Sequence, residues 1–265
     1  MKTTTIQVDG LAVSSISDPM VSQPLSGATR IVLVHGAMDT GGSFSRLIDH
    51  LAGFDVVSYD RRGYGASPLT SRQPARLAEH VEDLLAILDG HCSMVLAHSL
   101  GGVIALAAVE RAPQLFKGVV AYESPMPWES WWPPVPLPND GRDPQQVLAA
   151  AERFLRRHVG DARWEALDDG RRQDLLAQGP AWAAELRDAR DGGPVYLPES
   201  LEVPVLAVYG TATDDRHRQA ALELARRAPN ARLATIEGAN HVGHRREPAK
   251  LAELLRGHIA ATAVN

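Results

Sequence analysis

The amino-acid sequence predicts an α/β fold in which a mostly parallel central sheet is flanked by helices. Short apolar runs without polar alternation recur along the chain, as in strands that are covered on both faces. Amphipathic stretches with helical spacing separate these runs. Regular alternation of strand and helix is typical of a parallel sheet with helices on both sides.

The first predicted elements are strands. Ile6–Val8 and Leu11–Val13 flank Asp9 and Gly10, a pair that favours the tight turn of a β-hairpin. Six apolar runs then predict buried strands. They lie at Ile31–Val34, Val56-Val57 with Tyr59, Met94–Ala97, Val119–Tyr122, Val205–Tyr209 and Leu233–Ile236.

Helical spacing of apolar residues predicts helices between these strands. The apolar stripes lie within Leu77–Leu88, Val103–Ala107, Leu222–Ala225 and Leu251–Leu255. Each stripe covers one side of its helix, so each helix has a face to bury against the sheet. The pattern therefore predicts helices that pack on the sheet along most of the chain.

One long stretch interrupts the alternation. From about Pro125 to Ser200 no strand is predicted, and the stretch begins with the proline-rich segment Pro133–Pro138. Helical patterns follow near residues 144–158, 162–177 and 180–190. We therefore predict residues 125–200 to be a helical lid, inserted into a core made of residues 1–124 and 201–265.

Composition limits the classes of partner. The chain has 265 residues and a formal net charge of −5, so it lacks the basic character of a nucleic-acid-binding protein. Its apolar runs are far shorter than the roughly 20 residues of a membrane helix, and no signal peptide is visible. Cys92 is the single cysteine and is expected to be structural. We expect a cytoplasmic protein, monomeric or homodimeric, without nucleic-acid or membrane partners.

Ser99 is the predicted nucleophile. The apolar strand Met94–Ala97 runs through His98 into Ser99 and then directly into a helical pattern. A serine on such a tight strand-to-helix turn needs small residues two positions away on either side, and Ala97 and Gly101 supply them. The N-terminus of the following helix favours a developing anion. The alternative is a serine that caps an ordinary helix.

With these motifs the chain resembles the α/β-hydrolases over essentially its whole length. His35-Gly36-Ala37 is similar to the family's oxyanion loop, and Asp60–Ser67 resembles its D-x-R-G-x-G-x-S loop. Gly238–His241 follows the last strand, where the family has its histidine loop. The resemblance implies an α/β-hydrolase fold with a lid after the sixth strand. It also implies that the N–H groups of Ala37 and Leu100 form the oxyanion hole.

His241 is the predicted base. A serine hydroxyl needs a base with a pKa near neutral pH, which suits histidine. His241 lies in the loop after the last strand, at the same end of the sheet as Ser99. His244 is the nearest rival, but its neighbours Arg245 and Arg246 favour an exposed position. His98 is expected to be a pocket or packing residue.

The acid that orients His241 has two candidates. The family usually places it three residues beyond the glycine that ends the strand after the lid, and that position is occupied here by Thr213. Asp214 follows one residue late. Glu123, in the E-x-P sequence after the preceding strand, resembles the acid of fungal lactone hydrolases that open zearalenone. We favour Glu123 for the triad, in which case Asp214 caps the next helix.

The expected substrate is a neutral, rather apolar carboxylic ester or lactone. The five tryptophans of the lid indicate an apolar roof, with Trp128, Trp131 and Trp132 as pocket residues. No metal-ligand motif and no cofactor motif is recognised, so neither is expected. A C–C bond hydrolase, a perhydrolase, a lyase and a non-catalytic binding protein remain alternatives. Epoxide hydrolases and dehalogenases are disfavoured, because they need aspartate at position 99.

Overall fold

The structure, a computed structural model, describes residues 2–8, 11–17, 29–67, 74–133 and 143–263. Within these residues eight strands form one sheet in the order β1-β2-β4-β3-β5-β6-β7-β8. The strands are β1 (Lys2–Val8), β2 (Leu11–Ser17), β3 (Arg30–Val34), β4 (Asp55–Tyr59), β5 (Ser93–His98), β6 (Phe116–Tyr122), β7 (Val205–Gly210) and β8 (Ala231–Ile236).

The pairing of the strands confirms the predicted mostly parallel sheet. Strands β3 to β8 pair in parallel, and β2 joins β4 in antiparallel fashion. The opening hairpin is also present, because β1 and β2 pair antiparallel with Val8 opposite Leu11. The predicted turn pair Asp9-Gly10 lies outside the described residues.

Helices cover both faces of the sheet. The helices are α1 (Ser45–Ile48), α2 (Leu77–Leu88), α3 (Leu100–Arg111), α4 (Pro144–Val159), α5 (Asp161–Glu165), α6 (Asp169–Leu176), α7 (Gly179–Asp191), α8 (Asp215–Arg227), α9 (Gly243–Arg246) and α10 (Pro248–Thr262). One core contains α2, α3 and α8 with Val32 and Val34, and the other contains α1 and α10 with Ile31 and Leu33. Side chains of β3 thus alternate between the two cores, as the period of a strand requires.

Strand β8 departs from the prediction. Its apolar run, Leu233–Ile236, was expected to be covered on both faces, but Leu233 is 40% exposed and most of the strand is open to solvent. The reason is its position, since β8 is the last strand of the sheet formed by the described residues and its one partner among them is β7. The apolar run therefore predicted the strand correctly, but the prediction that both of its faces are covered was wrong.

Helices α4 to α7 lie between β6 and β7 and are called here the helical insertion. They have a core of their own, in which Trp164 and Trp182 are fully buried. The predicted helix at 162–177 is divided into α5 and α6, and residues 134–138 of the proline-rich segment lie outside the described residues. The division of the chain into a core and a lid stays a prediction.

A buried ion pair connects α7 to the sheet. Glu185 of α7 and Arg61, which follows β4, are both fully buried, with Arg61 Nη1 2.5 Å from Glu185 Oε1. The Tyr64 hydroxyl donates to Glu185 Oε2 at 2.6 Å, and His80 Nε2 lies 2.9 Å from Oε1. These contacts fix α7 against the loop after β4 and against α2.

The two ends of β5 have different surroundings. Cys92 directly precedes β5 and is exposed, and its expected structural role stays a prediction. At the other end, β5 enters the turn at half-buried Ser99. Among the described residues, none of the helices combines the length and the apolar character that crossing a membrane requires.

Candidate active site

Ser99 lies on a tight turn between β5 and α3. Its backbone has φ 52° and ψ −127°, values that a residue with a side chain rarely adopts. A side chain at Gly101 would place its Cβ 2.5 Å from the carbonyl oxygen of Val34, so only glycine fits there. The close approach of α3 to β3 thus explains the small residue two positions after the serine.

Ser99, His241 and Glu123 form one hydrogen-bonded series. His241 Nδ1 lies 2.8 Å from Glu123 Oε2, and His241 Nε2 lies 3.1 Å from Ser99 Oγ. A carboxylate only accepts hydrogen bonds, so Nδ1 carries the proton and Nε2 accepts from the serine hydroxyl. The Tyr122 hydroxyl donates to the Asn240 carbonyl at 2.6 Å and holds the histidine loop against β6.

Glu123 is held by several donors at the end of β6. Its Oε1 accepts the backbone N–H of Gly210 at 3.0 Å, and its Oε2 accepts the hydroxyl of Thr213 at 2.8 Å. Burial acts to raise the pKa of Glu123, but the hydrogen bond from His241 and the other donors hold it below its ordinary value. Glu123 also has a positive φ of 51°, a strained backbone like that of Ser99.

Asp214 has a different role in the structure. It is the N-cap of α8, where its side chain accepts the backbone N–H of His217 at 3.2 Å. The same oxygen lies 2.6 Å from His217 Nδ1. The structure therefore brings Glu123 to His241 and places Asp214 at the start of α8.

Imidazole rings surround His241. Its ring centroid lies 4.3 Å from that of His217, 4.8 Å from that of His98 and 5.1 Å from that of His158. Burial, together with the nearby His241, lowers the pKa of His158 and of His217 to about 4 each. Sequence reasoning missed both residues, because no local pattern showed that their helices pack against the histidine loop.

The loop after β3 lies against the nucleophile. A Cβ on Gly36 would lie 3.0 Å from the Cβ of Ser99, which places the predicted oxyanion loop beside the serine. Buried His35 accepts the backbone N–H of Arg61 at 2.8 Å and is a structural residue. Leu100 is the first residue of α3, so its N–H has no partner within the helix, and Ala37 lines the adjacent cavity.

A cavity of about 750 Å³ lies between these loops and the helical insertion. His241, His98 and Ala37 contribute to one side. The helical insertion lines the other side with both apolar and polar residues. The apolar ones are Phe154, Leu155, Val159, Leu167, Leu175 and Ala177, and the polar ones are His158, Arg163, Arg171, Asp174 and Gln178. The cavity thus lies between the loops of Ala37 and His241 and a wall of mixed polarity, whose apolar part comes mainly from α4.

The three tryptophans predicted to be pocket residues lie elsewhere. Trp128, Trp131 and Trp132 are absent from the lining of this cavity and pack against the core around α2, α3 and α8. Trp132 contacts the edge of the His217 ring, at a centroid distance of 5.3 Å. The wall comes instead from α4 to α6, which are more distant in sequence from β6.

His98 and His244 lie together beneath His241. His98 Nε2 donates to the backbone carbonyl of His241 at 2.8 Å, and His98 lines the cavity as predicted. His244 was expected to be exposed but is buried, because the short helix α9 turns its ring against Phe44 and His98. Arg245 remains on the outer side and pairs with Asp39.

The sequence of this chain matches the model of one protein family. The model of the family described as "Alpha/beta hydrolase family" matches residues 31–254. Polyketide synthase ThaQ of Burkholderia thailandensis is 31% identical over 243 residues, which are 85% of this chain and 12% of that protein. Lipase LipV of Mycobacterium tuberculosis is 30% identical over 98 residues, 36% of this chain and 37% of that protein. The chain therefore spans well under half the length of these relatives.

Solved structures share the fold. An esterase from Thermogutta terrifontis has a TM-score of 0.73 at 17% identity, covering 99% of both chains. Est816, described as an N-acyl homoserine lactone degrading enzyme, has a TM-score of 0.70 at 22% identity, covering 96% of this chain and 99% of the other. A protein from Sphaerobacter thermophilus has a TM-score of 0.71 at 24% identity, with the same coverages.

Proposed function

The chain belongs to the alpha/beta hydrolase family, and from this premise we propose that it is a serine hydrolase of neutral, rather apolar carboxylic esters or lactones. The observation that supports this most is the series from Ser99 Oγ through His241 to Glu123. A non-catalytic binding protein has no use for a strained serine beside an oriented imidazole.

The reaction begins with proton transfer from Ser99 to His241. Nε2 accepts the proton while Oγ attacks the carbonyl carbon of the substrate, and Glu123 stabilises the imidazolium that forms. The N–H groups of Ala37 and Leu100 hold the oxyanion of the tetrahedral intermediate. One such donor contributes about 3 kcal/mol to transition-state stabilisation.

Collapse of the intermediate completes the first half of the reaction. His241 returns its proton to the departing alcohol oxygen, and an acyl-enzyme remains on Ser99. Water then attacks the acyl group with His241 again as base. A lactone follows the same course, except that its alcohol is part of the acyl chain, so hydrolysis of the acyl-enzyme releases a single hydroxy acid.

The cavity supports the proposed substrate class. Its wall from the helical insertion carries the apolar side chains of Phe154, Leu155 and Val159 on α4, which suits an acyl chain. We propose that the helical insertion acts as a lid over this cavity, since α4 to α6 face the loops that carry Ala37 and His241.

The test is intact-mass spectrometry after incubation with a fluorophosphonate. We expect one adduct on the native protein and none on Ser99→Ala, because only an activated serine reacts with the probe. Ser45→Ala, which changes an exposed serine at the start of α1, is the matched control and should be labelled like the native protein. An adduct that persists on Ser99→Ala would contradict the assignment of the nucleophile.

A substrate panel then tests the bond that is cleaved. We expect turnover of neutral esters or lactones and loss of it in Ser99→Ala. Acyl thioesters belong in the panel, because a segment of a polyketide synthase is similar in sequence and a thioesterase domain from the curacin pathway shares the fold. Turnover confined to carbon–carbon bonds would contradict the proposal.

A further inference from the structure

A second group of ligating side chains lies beside the proposed triad. Asp39, His98 and His244 each offer one ligand atom, and these atoms all lie within 4.8 Å of one another. The residues are 9%, 5% and 1% exposed. They come from three separate segments, which are the loop after β3, the end of β5 and helix α9.

The imidazoles of this group contain buried nitrogens without hydrogen bonds. His98 Nδ1 and both ring nitrogens of His244 have no hydrogen-bond partner among the described residues. His244 Nε2 lies 3.4 Å from Asp39 Oδ2, which is longer than an ordinary hydrogen bond. Leaving a buried polar atom unsatisfied is costly and rare in folded proteins. An ion bound between these atoms would satisfy them.

The surroundings match those of a metal-binding histidine. A histidine ligand usually donates its second ring N–H to a carbonyl or carboxylate, which fixes the ring. His98 does so through Nε2, which donates to the His241 carbonyl, and its Nδ1 is therefore the unprotonated nitrogen. All three side chains also line the cavity, which gives an ion a path of entry.

We propose that Asp39, His98 and His244 bind one divalent transition-metal ion of the zinc type. Two imidazoles and one carboxylate are ligands that suit zinc and its first-row neighbours. Zinc–nitrogen bonds of about 2.0–2.1 Å require the side chains to move inward by roughly 1 Å. Arg245 donates to Asp39 Oδ1 and leaves Oδ2 for the ion. The positive charge of Arg245 reduces the affinity of the site for the ion.

The ion would cross-link three segments that surround Ser99. Asp39 lies two residues after Ala37, His98 directly precedes the serine, and His244 follows the loop of His241. Binding to the folded state alone stabilises it by mass action. At free zinc one hundred times the dissociation constant, we expect the melting temperature to rise by roughly 5–10 °C.

The experiment is calorimetric titration of the chelator-treated protein with zinc chloride. We expect one ion per chain, with affinity at least tenfold weaker in Asp39→Asn and in His244→Asn. Two controls should bind like the native protein. His217→Asn removes a ligand of the other cluster, Glu123, His217 and His241, and His91→Asn with Cys92→Ser removes an exposed neighbouring pair.

The result that overturns the proposal is no saturable binding, or binding that survives in Asp39→Asn and His244→Asn. Loss of binding in either control would also overturn it. If the two site variants fail to fold, anomalous diffraction from zinc-soaked native crystals decides, because the peak must lie among these three side chains. The Ser99→Ala protein should bind zinc equally, so failure of the proposed hydrolase activity leaves this test independent.

Discussion

At the scale of single residues, Thr213 occupies the family's usual acid position, and Glu123 supplies the carboxylate from the neighbouring strand. The Thr213 hydroxyl donates a hydrogen bond to the carboxylate of Glu123. The carboxylate reaches His241 from the end of β6, the neighbouring strand in the sheet. Because the carboxyl ends of β6 and β7 lie side by side, either strand can supply a carboxylate to the same imidazole.

Replacing Glu123 tests this arrangement. We expect Glu123→Gln to lower kcat by about 10⁴-fold, because an amide no longer fixes the tautomer or stabilises the imidazolium. Asp214→Asn should stay within a few-fold of the native kcat, since asparagine also caps a helix. Steady-state kinetics on the best ester of the panel gives both values. The opposite ranking would show that Asp214 is the acid.

Local patterns predicted the residues that stand at the ends of strands. Ser99, Glu123 and His241 each follow an apolar run, and the parallel sheet brings such ends together. His158 and His217 could not be predicted in this way, because they reach His241 from helices whose packing no local pattern specifies. His244 was placed wrongly from its charged neighbours, since a helical turn directs adjacent side chains to different sides.

At the scale of elements, the sequence predicted the helices of the helical insertion but did not predict which residues these helices contact. Helices α4 and α7 follow the predicted patterns closely. The tryptophans near β6 were assigned to the pocket because of their proximity in sequence. The structure uses Trp164 and Trp182 to fill the core of the insertion, while side chains of α4 and α6 face the cavity. Sequence proximity does not reveal which face of an inserted helix points inward.

The contacts of α7 lead to a stability prediction. Glu185→Ala should lower the free energy of unfolding by about 3–5 kcal/mol, because Arg61 would remain buried without its counter-charge. Arg76→Ala is the matched control. It breaks a second ion pair to α7, with Asp188, but the Arg76 side chain is 77% exposed and its loss should leave stability nearly unchanged. Urea denaturation measures the free energy of unfolding of both variants. Equal losses in the two variants would contradict the conclusion that burial makes the Glu185–Arg61 pair the more important one.

At the scale of the whole molecule, the order of apolar runs predicted the sheet. The prediction failed only in detail, because an apolar run does not show whether its strand lies at the centre or at the edge. Strand β5 is buried at every position, and β8 is mostly exposed. Strand order depends on contacts between distant segments, and no stretch of the sequence contains that information by itself.

Buried histidines make the stability of the molecule depend on pH. Burial, with nearby positive charges, lowers the pKa of His35 to about 3 and the pKa values of His158 and His217 to about 4. The ordinary value is about 6.5, so below that pH the unfolded chain binds more protons than the folded chain does. Stability should therefore fall as the pH falls from 6.5 towards 4, by on the order of 2 kcal/mol per histidine at pH 5.

Urea denaturation across a pH series measures this dependence. His217→Asn should flatten the curve between pH 6.5 and 4, although Asp214, Glu123 and His241 still surround the position. Below pH 4.5 the loss should continue, because burial acts to raise the pKa of Glu185 but Arg61 and His80 lower it to about 2, so the unfolded chain takes up this proton first. A stability that is constant from pH 7 to pH 5 would contradict the neutral state of the buried histidines.

The exposed position of Cys92 decides how this protein could be attached to a solid support. It is the only thiol in the chain, and it stands at the opposite end of β5 from Ser99. A strand of six residues spans about 20 Å, so this distance separates the thiol from the nucleophile along β5. A maleimide-coated surface would therefore attach every molecule through the same point, which lies at the far end of β5 from the nucleophile.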